Sequence, residues 1–120
     1  MENNLRKFME KSLLTPKQLS RLLNISVHTY IAMEQDKCSI STETIIMISK
    51  IYKIPSRFLF ENLEKNEQEI DHAMEVFAKL EENDRFLLAM KNLTNEEVGK
   101  SIYRQIRRVK MQIYDEINNR

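Results

Sequence analysis

The stretch that most constrains this chain is residues 15–34, TPKQLSRLLNISVHTYIAME, which reads as two short helices joined by almost no loop. Thr15 offers a hydroxyl to the free amides of a helix start, and Pro16 at the first helical position gives up an amide that would have had no partner. Leu19, Leu22 and Leu23 then repeat at three- and four-residue spacing and form one buried stripe, while Lys17, Gln18 and Arg21 fall toward solvent. Asn24 marks the turn, because Asn tolerates the left-handed conformation needed to leave one helix and enter the next. Ser26 caps the second helix. There Tyr30 and Met33 point inward, whereas Val27, His28, Ile31 and Ala32 share the opposite surface. Ser20 is small where the two helices must cross closely.

This spacing resembles the Cro/CI-like (XRE-type) family of helix-turn-helix regulators, and the resemblance runs from Leu5 to about Phe60. It is carried by Leu5-Arg6, Leu14-Thr15, Gln18-Leu19-Ser20, Ile25-Ser26 and Glu34. Downstream, residues 41–45 with Ile48, Ile51, Tyr52 and Ile54 are similar to the family's fourth helix, and residues 55–60, PSRFLF, to its fifth. The resemblance implies an all-α fold: a five-helix lambda-repressor-like DNA-binding domain over residues 1–62, followed by a helical module over residues 63–120. It implies that Val27, His28, Ile31 and Ala32 read bases of double-stranded DNA, with Lys17, Gln18, Ser26, Thr29 and Lys37 on the phosphates.

Four departures bear on function. Pro16 stands where the family often has a phosphate-holding Gln, and Met9 where it often has an Arg paired with the Glu at Glu34. Arg6, one turn earlier, is the expected replacement partner. Asp36 stands where a Gly usually ends the recognition helix. The outward face of that helix is also unusually apolar. Val, Ile and Ala pack on thymine methyl groups, with His28 the one side chain there able to bond a base edge, but the same face also suits a protein partner.

The second module ends in the longest expected helix. Thr94 and Glu97 form a capping box, after which Val98, Ile102, Ile106, Val109, Ile113 and Ile117 step by three or four residues along one stripe. The stripe reads as a self-association seam, since two recognition helices on adjacent half-sites bind DNA more tightly than one. Before it, apolar spacing gives a helix over residues 67–82 containing Ile70, Met74 and Phe77, then a short one over residues 84–92 capped by Asn83 or Asp84.

Charge is segmented: residues 1–60 carry +4, residues 61–97 carry −7 and residues 98–120 carry +4, which the total of +1 conceals. The basic N-terminal part suits a phosphate backbone. One Gly and two Pro argue against a sheet, no apolar run is long enough to span a bilayer, and no export signal is legible, so a cytoplasmic protein is expected. The single cysteine, Cys38, excludes an intrachain disulfide. His28 and His72 have no second ligand at metal-site spacing, and no Gly-rich phosphate loop is present. The expected protein is therefore a transcriptional regulator, a homodimeric repressor, with no cofactor, no metal and no catalytic residues. The other reading is a module of the same fold that binds another protein, as an antirepressor or inhibitor.

Overall fold

Leu5 and Phe8 lie one helical turn apart and are both buried, which places the first helix, α1 (Leu5–Ser12), with one face in the core. The computed structural model describes residues 2–94, so Glu97 and the stripe of Val98, Ile102, Ile106, Val109, Ile113 and Ile117 lie outside the described residues. Thr94, the other half of the expected capping box, follows the helix Glu82–Leu93 and donates its Oγ1 hydroxyl back to Lys91 O at 2.8 Å. Within the described residues the chain continues as α2 (Pro16–Leu23), α3 (Val27–Glu34), α4 (Thr42–Tyr52), α5 (Glu67–Ala78) and α6 (Glu82–Leu93). Every described regular element is helical, as the sequence implies.

Side chains start three of these helices. Thr15 Oγ1 accepts from the Gln18 N–H at 3.1 Å while Gln18 Oε1 accepts from the Thr15 N–H at 3.1 Å, a reciprocal capping box with Pro16 just inside it. Ser26 caps α3 through the Thr29 N–H at 3.0 Å, and Ser41 caps α4 through the Thr44 N–H at 3.2 Å. With no glycine at residues 2–94, the exits use other residues in the left-handed region: Leu13, Asn24, Asp36 and Lys53, at φ between 53° and 63°. After Asn24 and Lys53 an apolar residue, Ile25 or Ile54, donates back five residues, to Ser20 O at 3.0 Å and Ser49 O at 3.1 Å. These are Schellman-type ends, with the following isoleucine turned back onto the helix.

Two boundaries differ from expectation. Residues 55–60 form a single 3-10 turn (Ser56–Leu59) rather than a fifth α-helix. Pro55 has no N–H to donate and only four residues follow it in the turn, too few to close several α-helical hydrogen bonds, yet Phe58 and Leu59 are still buried. Helix α5 stops at Ala78 instead of running to residue 82, and α6 begins one residue after Glu81 rather than behind Asn83 or Asp84. The Arg85 N–H donates to Glu81 O at 2.9 Å and its Nε to Leu80 O at 3.0 Å, which starts the helix earlier. Asp84 then lies in the first turn, where a negative charge suits the helix dipole.

The apolar core crosses residue 62 without a break. Helix α5 packs on α1 and α6 on α4, so Ile70, Met74, Phe77, Ala89, Met90 and Leu93 join one cluster with Leu5, Phe8, Tyr30, Met33, Ile48 and Ile51. Phe8, Tyr52 and Phe77 form an edge-to-face series with centroids 5.9 and 5.6 Å apart. Buried Asn92 donates through Nδ2 to Ile51 O at 2.7 Å, and Lys11 pairs with Asp71.

Candidate nucleic-acid interface

The pair α2 and α3 presents the expected surface. Asn24, at φ 55° and ψ 45°, turns the chain within three residues, and Ser20, 3 % exposed, lies where the packed helices need a small side chain. Tyr30 and Met33 are buried, at 0 % and 3 %. They fix which face of α3 turns outward.

On that outward face Val27 and His28 are exposed, whereas Ile31 and Ala32 are half-buried and Ile31 packs against the core. The most accessible expected base-readers are therefore at the first turn of α3. Thr29 is exposed beside them, its Oγ1 2.9 Å from Ser26 Oγ. Ser26 thus shares its hydroxyl between the cap and Thr29. Gln18 likewise commits Oε1 to the capping box, so any donation from it to a phosphate must come from Nε2. Lys17, Arg21 and Lys37 are exposed, and the Lys37 N–H donates to Ala32 O at 2.8 Å, which draws Lys37 back alongside the end of α3. Cys38 Sγ lies 4.0 Å from Thr29 O and is exposed.

The core side of α3 holds a polar pair. The Tyr30 hydroxyl faces the Glu34 carboxylate without full hydrogen-bond geometry, and Tyr30 Oη and Glu34 Oε1 are both buried. Burial, then the neighbouring Tyr52 and Glu34, pushes the Tyr30 hydroxyl far above the ordinary phenol range. Burial likewise raises the Tyr52 hydroxyl, against a hydrogen bond with Ser12 Oγ at 3.2 Å. Glu34 is raised by burial, opposed by Tyr30 and by the charge of Arg6, and raised further by Glu10. The expected Arg6–Glu34 pair does not form. Arg6 Nε donates instead to Glu10 Oε1 at 3.1 Å, because an i,i+4 partner on its own helix is in easy reach.

Sequence reasoning missed two asparagines before α1. Asn3 Nδ2 donates to Met33 O at 2.7 Å, and Asn4 Nδ2 donates to Phe58 O and Glu61 O, both at 2.8 Å. Their partners lie 30 to 57 residues away, so no local pattern announces them. Among the described residues no three His, Cys, Asp or Glu are grouped to hold a metal, and no helix is long and apolar enough to cross a membrane.

Residues 4–55 match a family model described as the Cro/C1-type HTH DNA-binding domain. No curated protein and no solved structure matches the chain.

Proposed function

We propose, from the premise that residues 4–55 are a Cro/C1-type helix-turn-helix DNA-binding domain, that the chain is a sequence-specific transcriptional regulator acting as a homodimeric repressor. The observation that carries the reading is the first turn of α3, where Val27 and His28 stand exposed on a helix whose opposite face is locked into the core. In a major groove Val27 packs on thymine methyls and His28 bonds a base edge, while Ile31 and Ala32 line the approach as shorter apolar contacts. Lys17, Gln18, Thr29 and Lys37 take phosphates, with Arg21 added, and Ser26 contributes mainly by capping the helix. In this reading residues 1–62 bind DNA and residues 63–120 bring two copies together through Val98, Ile102, Ile106, Val109, Ile113 and Ile117. The dimer then represses by occupancy, covering the site that polymerase would use.

The test is binding to duplexes selected from random sequence, followed across salt. With the cations Lys17, Arg21 and Lys37 of both copies on phosphates, affinity should fall by roughly three orders of magnitude between about 50 and 200 mM salt. Absence of binding to any duplex at low salt would sink the regulator reading. It would favour the second one, in which the exposed Val27 and the half-buried Ile31 and Ala32 contact a protein. Self-association is tested by sedimentation: a chain ending at Asn95 should be a monomer, and an unchanged dimer would place the interface elsewhere.

A further inference from the structure

We propose that Asn3 is a positioning residue for α3: its side-chain amide holds the C-terminal end of that helix and so sets the angle at which the helix meets DNA. The inference rests on the reading of α3 as the DNA-docking helix. Helix α3 is only eight residues long, and Tyr30 and Met33 are its only fully buried side chains. Its N-terminal end is fixed by the Ser26 cap and by the Ile25 N–H to Ser20 O bond at 3.0 Å. The other end has no glycine exit. It leaves through Asp36 at φ 57°, with the Asp36 N–H donating to Met33 O at 3.2 Å.

Asn3 acts on that same carbonyl. Its Nδ2 donates to Met33 O at 2.7 Å while its Oδ1 accepts from the Leu5 N–H at 3.1 Å. One side chain thus ties the first turn of α1 to the last turn of α3. A donor is the right group there, because the terminal carbonyls of a helix lack internal partners and carry partial negative charge. Leverage makes the tie matter. A helix of this length spans about 12 Å, so a tilt of about 5° about its buried Tyr30 and Met33 shifts the first turn, which carries Val27 and His28, by roughly 0.5 Å, the limit that directional base contacts tolerate. Asn4 is a built-in control, since it makes the same kind of bond to Phe58 O and Glu61 O and does not touch α3.

The experiment compares full-length wild type, Asn3→Ala, Asn3→Asp and Asn4→Ala, each confirmed folded by circular dichroism. The probes are a selected duplex of about 20 base pairs and its scrambled counterpart. Asn3→Ala should lose about five- to tenfold in affinity for the selected duplex, the worth of one hydrogen bond, and less than about twofold for the scrambled one. Asn3→Asp should lose more, because it replaces the donor with a negative charge at the negative helix end. Amide exchange at Asp36 and Lys37 should quicken in Asn3→Ala and stay unchanged in Asn4→Ala. Retained discrimination in Asn3→Ala, or an equal loss in Asn4→Ala, overturns the proposal. If wild type binds no duplex, DNA reading fails by itself, and the exchange rates still decide the tie: unchanged exchange in Asn3→Ala overturns it.

Discussion

Glu34 holds one carboxylate oxygen, Oε1, out of solvent beside the Tyr30 hydroxyl, and burial raises its pKa above the ordinary carboxylate value. Folding therefore favours its protonated form. The sign follows from linkage: the stability this group adds is fully present below the unfolded pKa and is lost as pH rises through the higher folded one. At neutral pH the ionised side chain is a liability, reduced by Tyr30 and Arg6 and increased by Glu10. Glu34→Gln keeps an acceptor for Tyr30 and removes the charge, so it should raise the melting temperature at pH 7 by about 2 °C, after allowance for screening by solvent. The gain should shrink toward zero near pH 4. A thermal melt series across pH measures this, and a gain that grew on acidification would show that the carboxylate is stabilised by charge rather than penalised by burial.

At the scale of the elements, every helix from α1 to α4 leaves through a left-handed residue that is not glycine. Such a conformation costs an ordinary side chain about 1–2 kcal/mol and Asn less, which makes the exits unequal. Lys53 is exposed, at φ 53° and ψ 45°, so Lys53→Gly removes strain while losing little packing. It should stabilise the fold by about 0.5 kcal/mol once the greater freedom of glycine in the unfolded chain is counted. Asn24→Gly should change stability by only a few tenths of a kcal/mol. Chemical denaturation of both variants checks the order, and equal effects would mean that Lys53 is not strained. These same elements mark the limits of what the sequence could tell. Thr15, Asn24 and Ser26 were legible because a cap or a turn is satisfied within three or four residues. Phe58 and Leu59 were legible as core but not as a 3-10 turn, since α and 3-10 helices both bury residues at three-residue spacing. At the candidate site the outward positions of Val27 and His28 followed from period alone. The half-burial of Ile31, the diversion of Arg6 to Glu10 and the reach of Asn3 to Met33 depend on tertiary packing or on competition between partners, which helical period does not encode.

For the molecule as a whole, the continuity of the core across residue 62 decides how the DNA-binding helices are held. Phe77 of α5 is 2 % exposed and meets Tyr52, which in turn meets Phe8 and bonds Ser12. Asn92 of α6 satisfies the carbonyl of Ile51 near the end of α4. Removal of α5 and α6 would therefore expose apolar surface of α1 and α4, so residues 2–62 should not reach native stability alone. Phe77→Ala puts the argument to a sharper test, because it deletes one ring and leaves the backbone intact. Truncation of a buried Phe costs about 3–5 kcal/mol, a large share of the roughly 5–15 kcal/mol that holds a small domain together. If the described helices form one cooperative unit, denaturation followed by helix signal and by tyrosine fluorescence should give a single coincident transition in wild type and in Phe77→Ala, shifted to lower denaturant in the variant. Amide protection in α2 and α3 should fall with that in α5, although neither α2 nor α3 contains residue 77. Two separated transitions, with α1 to α4 still protected after α5 has melted, would instead establish residues 1–62 as an independent DNA-binding unit with its partner module merely docked.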